Sequence, residues 1–139
     1  MHSSATVPVV ELSLLRSLPL FAPLGVPAIE SLARELAPVD VSAGSTIIRE
    51  GEPGDLFYVI ASGELEVLSG RERLRVLGRG EGFGELALLL DVPRTADVVA
   101  TTDAHLYALG KEAFVTSVTG HPSSAGEAAR LVRERAPAE

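Results

Sequence analysis

The chain has no cysteine. That excludes disulfide scaffolds, thiol nucleophiles and zinc–thiolate sites. Basic residues are outnumbered, 12 against 19 acidic, for a formal net charge of −7. A nucleic-acid partner needs a basic stripe, which this balance disfavours. No apolar run approaches the ~20 residues that a membrane helix requires. No basic segment precedes an apolar one at the start, so no secretory signal is expected and the cytoplasm is the expected compartment. The three histidines, His2, His105 and His121, are dispersed without metal-ligand spacing. No paired acids and no nucleophile with its base are evident, so no catalytic residue, no metal site and no enzyme are expected.

What is present is 139 residues, 46% of them hydrophobic and 22% charged. One ordinary globular domain fits that length and balance. Met1–Thr6 are assigned no structure, as a disordered start or an expression remnant, and 7–139 are taken as the domain. Residues 7–38 read as helical. Val10, Leu14, Leu15 and Leu18 lie at helix-like spacing, Leu18-Pro-Leu-Phe21 breaks the pattern, and a second helix opens near Pro27. In it Ile29, Leu32, Ala33 and Leu36 make one apolar stripe, and Pro38 ends it. Residues 39–110 change character. Short β-rich runs (Val39–Val41, Thr46–Arg49, Phe57–Ala61, Leu65–Leu68, Leu74–Leu77, Ala96–Ala100, Ala104–Leu109) alternate with glycine turns. Such spacing predicts a sandwich or jelly roll. Glu85–Leu90 is too apolar on all sides for a surface strand and reads as a short buried helix. Residues 111–139 are helical again. Phe114, Val115 and Val118 mark one helix, and Ser124-x-x-Glu127 is a capping box for a last, short one.

Residues 80–96, Gly-Glu-Gly-Phe-Gly-Glu-Leu-Ala-Leu-Leu-Leu-Asp-Val-Pro-Arg-Thr-Ala, carry the chemistry. Glycines lead into a helix whose free N–H groups suit an anion. Gly84 lets a ligand approach the backbone closely. Pro93 stiffens the turn that delivers Arg94, whose planar fork matches a phosphate. Glu85 is a poor phosphate partner but a good acceptor for a sugar hydroxyl. One acid for a ribose and one arginine for a phosphate describe a nucleotide-monophosphate cradle. The structural alternatives are plain: a glutamate at a helix start that favours the helix dipole, and a solvated arginine at a strand start.

This segment resembles the phosphate-binding cassette of cyclic nucleotide-binding domains, which occur in kinase regulatory subunits, ion channels and catabolite-activator-type regulators. The likeness runs through Phe83-Gly-Glu-Leu-Ala-Leu-Leu89 and Pro93-Arg-Thr-Ala96. Leu18–Phe21, the glycines 44, 51, 54, 63 and 80, and Phe57-Tyr-Val-Ile60 before Ser62-Gly63 extend it, so that it covers roughly Leu12 to Leu131. The resemblance implies a mainly β domain with flanking α: a double-stranded β-helix, or jelly roll, with N-terminal helices and C-terminal lid helices. It implies that Glu85 contacts a ribose 2′-hydroxyl and Arg94 a cyclic phosphate, with Gly84, Leu86, Ala87 and Ala96 as backbone donors or wall. Thr95 follows the arginine, where a hydroxyl in some relatives helps hold the guanine of cGMP. Val76 and Leu77 are expected to wall the base, and Leu131 and Val132 to form a lid. No aromatic residue stands there to cap the base, a departure from some branches.

The expected function is a non-catalytic regulatory sensor for a cyclic purine nucleotide, cAMP favoured over cGMP on family frequency. Its partners would be the nucleotide and an effector domain or protein, with homodimerisation also open. The alternative is a degenerate jelly roll that acts without ligand as a protein-interaction or oligomerisation module. A metal-dependent cupin-type enzyme is a distant third, because only His105 falls on a strand.

Overall fold

A computed structural model describes residues 9–90, 92–119, 126, 129–130 and 132–133. Helix α1 (Val9–Arg16) is followed by a run of turns through residue 24, then helix α2 (Val26–Glu35). Pro27 sits in the first turn of α2, where a missing N–H costs nothing. The stripe Ile29, Leu32 and Ala33 is buried, and Leu36 packs beside it. Eight strands follow among the described residues: β1 (Ala37–Val41), β2 (Thr46–Ile48), β3 (Leu56–Ser62), β4 (Leu65–Ser69), β5 (Glu72–Leu77), β6 (Gly82–Phe83), β7 (Asp97–Ala100) and β8 (Ala104–Gly110). Helix α3 (Glu85–Leu90) lies between β6 and β7, and helix α4 (Lys111–Thr119) follows β8.

The strands form two four-stranded sheets, ordered β1-β8-β3-β6 and β2-β7-β4-β5, with all pairings antiparallel. This is the expected jelly-roll architecture with helices at its flank. Strand β3 joins its two cores, because successive side chains point to opposite faces. Tyr58 and Ile60 enter the cluster between the sheets with Leu65, Val67, Phe83, Val98 and Leu106. Phe57 and Val59 enter the cluster beneath the helices with Leu15, Phe21, Ile29, Leu109 and Phe114. Three phenylalanines lock that second cluster. Phe57 stacks on Phe114 at 4.6 Å between centroids, and Phe21 meets Phe57 edge-on at 5.8 Å. Offset-stacked and edge-to-face contacts are the favoured arrangements of such rings.

Two local expectations need correction. Pro38 does not merely terminate a helix. It lies inside β1, opposite Tyr107 of β8. β1 is an edge strand, where a proline removes no ladder bond from a neighbour. Between β5 and α3, where no strand was expected, Gly82 and Phe83 pair with Val59 and Tyr58 as β6. A side chain at Gly82 would begin 2.5 Å from the Phe57 ring, so only glycine lets this strand cross there. The last helix expected from Ser124 begins outside the described residues; 126, 129–130 and 132–133 are helical.

Candidate functional site

The site is built where β6 turns into α3 and where the chain returns into β7. Gly84 makes that first turn with φ +97°, a conformation that favours glycine. It brings Glu85 to the first position of α3, where the side chain is 2% exposed. α3 buries Leu86, Ala87 and Leu88. The backbone then returns through Val92, whose N–H donates to the Ala87 carbonyl at 3.2 Å.

Arg94 is fastened on both sides of its own peptide. Its N–H donates to the Glu52 carbonyl at 2.7 Å, and its carbonyl accepts from Gly51 N–H at 2.8 Å. Asp97 secures the same loop by accepting from Glu50 N–H at 2.7 Å. The turn between β2 and β3 therefore positions the arginine. The guanidinium is turned inward, and the residue is 8% exposed. Nη1 donates to the Gly84 carbonyl at 3.0 Å and Nη2 to the Leu56 carbonyl at 2.8 Å. Burial pushes the Arg94 pKa down, opposed by Tyr58, Asp55, Glu85 and Glu52 around it. Burial likewise raises the Tyr58 pKa, which Arg94 opposes and Asp55 reinforces. Tyr58 is stacked on Phe83 at 5.1 Å, the residue that opens the glycine-to-helix turn.

One open pocket collects these groups. It is shallow, with a cavity volume of about 40 Å³. Gly84, Glu85, Leu86, Ala87, Arg94, Thr95 and Ala96 all line it. Ile48, Val67, Phe83 and Val98 supply an apolar wall, and Arg75 adds a second cation. An apolar wall with a few convergent polar groups is the kind of lining that a small-molecule ligand needs. The structure places Val76 and Leu77 outside this pocket. Val76 is 41% exposed and Leu77 is sealed in the core between the sheets. Strand alternation gives the wall position to the residue before them, Arg75, which the sequence reading passed over. Val132 is half-buried and does not line the pocket, and Leu131 lies outside the described residues. Among the described residues no three His, Asp or Glu side chains are grouped to hold a metal ion. No helix of the described residues is long and apolar enough to cross a membrane.

A β-roll with an interposed helix, whose start presents a buried carboxylate beside a buried guanidinium, defines a class of small-ligand-binding domain. The Cyclic nucleotide-binding domain family matches residues 38–119, and the chain belongs to that family. Among curated proteins it is 43% identical over 102 residues to a cAMP-dependent protein kinase regulatory subunit from Colletotrichum orbiculare, covering 72% of this chain and 26% of that protein. It is 36% identical over 111 residues to a cGMP-dependent protein kinase from Eimeria tenella, covering 79% of this chain and 11% of that protein. Among solved structures, the regulatory domain of Toxoplasma gondii protein kinase A with cAMP matches at 30% identity and a TM-score of 0.75, over 84% of this chain and 46% of that one. The regulatory subunit of a cAMP-independent protein kinase A from Trypanosoma brucei matches at 26% identity and a TM-score of 0.82, over 96% and 48%. The chain thus spans about a quarter or less of these curated relatives and about half of these solved chains.

Proposed function

We propose that this domain is a regulatory sensor that binds a cyclic purine nucleotide in the pocket between α3 and β7 and does not catalyse. In this reading Arg94 pairs with the cyclic phosphate and Glu85 accepts from the ribose 2′-hydroxyl. Gly84, Leu86, Ala87 and Ala96 offer backbone or wall to the phosphate and sugar, and Thr95 faces the base. The observation that carries the reading is the convergence of a buried carboxylate and a buried guanidinium on one pocket, in a chain whose net charge is −7. An anion would be repelled by most of this surface, so a site for one must be built locally, and Arg94 and Arg75 do so. The relatives' names include both cAMP- and cGMP-dependent kinases, which supports the ligand class.

The sensor reading also needs an output. Ligand at 84–96 draws the cassette inward, and the helix that includes Val132 closes over the base with Leu131. A ligand biases such an element only by binding one state better than the other. The effector is a further domain of a longer chain or a separate protein, kinase-like by analogy with the relatives, and the setting is the cytoplasm. The ligand-free scaffold reading is disfavoured because both Glu85 and Arg94 are present and face the same space.

The test is calorimetric titration of the purified domain with cAMP, then cGMP, at one salt concentration. Micromolar binding corresponds to about −8 kcal/mol, an affinity within the range that titration resolves. Binding of either supports the sensor, and the ratio sets selectivity. No heat from either nucleotide, on folded protein free of co-purified nucleotide, defeats it.

A further inference from the structure

The turn between β2 and β3 holds a residue with no side chain against the buried arginine. An ideal Cβ built on Gly54 would stand 2.7 Å from Arg94 Nε, 2.8 Å from Arg94 Cζ and 2.7 Å from Ala87 Cβ. Separations under 3.0 Å are too close for a Cβ, so something must shift. Gly54 is not among the glycines of positive φ, so its backbone does not demand glycine. The steric demand is therefore the reason for glycine here. The guanidinium cannot simply swing aside, because its two terminal nitrogens are fixed on the carbonyls of Gly84 and Leu56. Gly51 and Glu52 of the same turn pin the Arg94 backbone. One short loop thus holds the arginine's main chain and leaves the space its side chain fills.

We propose that Gly54 is a positioning residue for Arg94: the missing side chain is the seat in which the guanidinium lies. The role of Arg94 toward phosphate rests on the function proposed above; the seat itself does not, and the two are separable. Substitution of Gly54 by alanine displaces the guanidinium from its carbonyls and tilts its fork away from the pocket.

The experiment measures Gly54→Ala in three backgrounds: wild type, Arg94→Ala and Ala87→Gly. Two readouts are taken, the urea midpoint of the ligand-free domain and the Kd for cAMP and cGMP by calorimetry. In the wild-type background Gly54→Ala lowers the midpoint and weakens nucleotide binding at least tenfold. In the Arg94→Ala background the guanidinium is gone and only the 2.7 Å approach to Ala87 Cβ remains, so both the midpoint loss and the loss of binding become clearly smaller than in the wild-type background. In the Ala87→Gly background most of the loss persists. Should Gly54→Ala alone fail to fold, recovery of folding in the Arg94→Ala background supports the seat equally. Equal losses in all three backgrounds overturn it. So does rescue by Ala87→Gly with none by Arg94→Ala, which assigns Gly54 to the spacing of α3 instead. If the wild type binds neither nucleotide, the function proposed above fails, and the urea midpoints alone still decide the seat.

Discussion

Removal of Arg94 separates two quantities that the structure entangles. In the ligand-free domain the guanidinium makes bonds of 3.0 and 2.8 Å to the carbonyls of Gly84 and Leu56. A hydrogen bond to a charged group is worth about 1.5–3 kcal/mol, but burying the charge takes back much of that gain. The same burial pushes the Arg94 pKa down. Arg94→Ala should thus lower folding stability by only about 1–3 kcal/mol, chiefly through the two carbonyls left without a donor. The effect on ligand is larger in proportion. Loss of the charge-assisted bond to a phosphate takes about 1.5–3 kcal/mol from binding, which is roughly a ten- to 150-fold rise in Kd. Total micromolar affinity is about −8 kcal/mol, so in the proposed reading Arg94 supplies a sizeable fraction and the remaining contacts the rest. Urea denaturation of the variant reads the first number, and calorimetry, with circular dichroism to show that it is folded, reads the second. Arg79→Ala is the control, since that side chain donates to the Ala61 carbonyl and does not line the pocket. A folded Arg94→Ala domain that binds nucleotide with unchanged Kd would refute the assignment of Arg94 to the phosphate.

Four further outcomes are expected. Glu85→Ala should weaken cAMP binding while leaving 2′-deoxy-cAMP nearly unaffected, so that the two ligands converge in Kd; a preserved ratio by calorimetry removes Glu85 from the ribose. Phe57→Ala empties the centre of the ring cluster and should cost about 3–5 kcal/mol in urea unfolding, the usual range for a buried phenylalanine, whereas a loss under 1 kcal/mol would show that the helices do not depend on it. The raised Tyr58 pKa stabilises the fold fully below the ordinary tyrosine value of 10.0, and this contribution is lost as pH rises through the higher folded value. Tyr58→Phe should accordingly lose less stability than wild type between neutral and strongly alkaline pH in thermal melts, and parallel curves would contradict the burial argument. Amide hydrogen exchange over residues 124–135 should slow on addition of saturating cAMP, and unchanged exchange would discard the lid.

The legible parts of this molecule are those in which a side chain announces itself. Short β-rich runs between glycine turns marked seven of the strands among the described residues to within two residues at either end. The uniform apolarity of Glu85–Leu90 marked a buried helix, and the structure buries four of its residues. Glu85 and Arg94 stood out because a glycine lead and a proline turn bracket them. Arg75 did not, for a definite reason. The pairing of β4 with β5 shifts register between Val67 and Leu68, so a count by twos from the exposed end of β5 loses its parity before it reaches the pocket. Of Val76 and Leu77, the pair expected at the base wall, the first is exposed and the second is sealed in the core between the sheets.

Absent side chains were the hardest to read, and here they decide the site. At Gly82 the missing Cβ lets β6 cross the Phe57 ring, and a two-residue strand without alternation leaves no periodic trace. At Gly84 a Cβ would stand 2.9 Å from Arg94 Nη1 and 3.0 Å from the Leu56 carbonyl, on a backbone with φ +97°. At Gly54 the constraint is contact alone. The sequence marks all three simply as glycine, and turn chemistry suffices to account for each. Only the packed structure separates a glycine required by its backbone from one required by its neighbour. Gly84 answers to both demands and Gly54 to one. Gly54→Ala therefore tests the arginine's seat without the backbone strain that would confound the same substitution at Gly84.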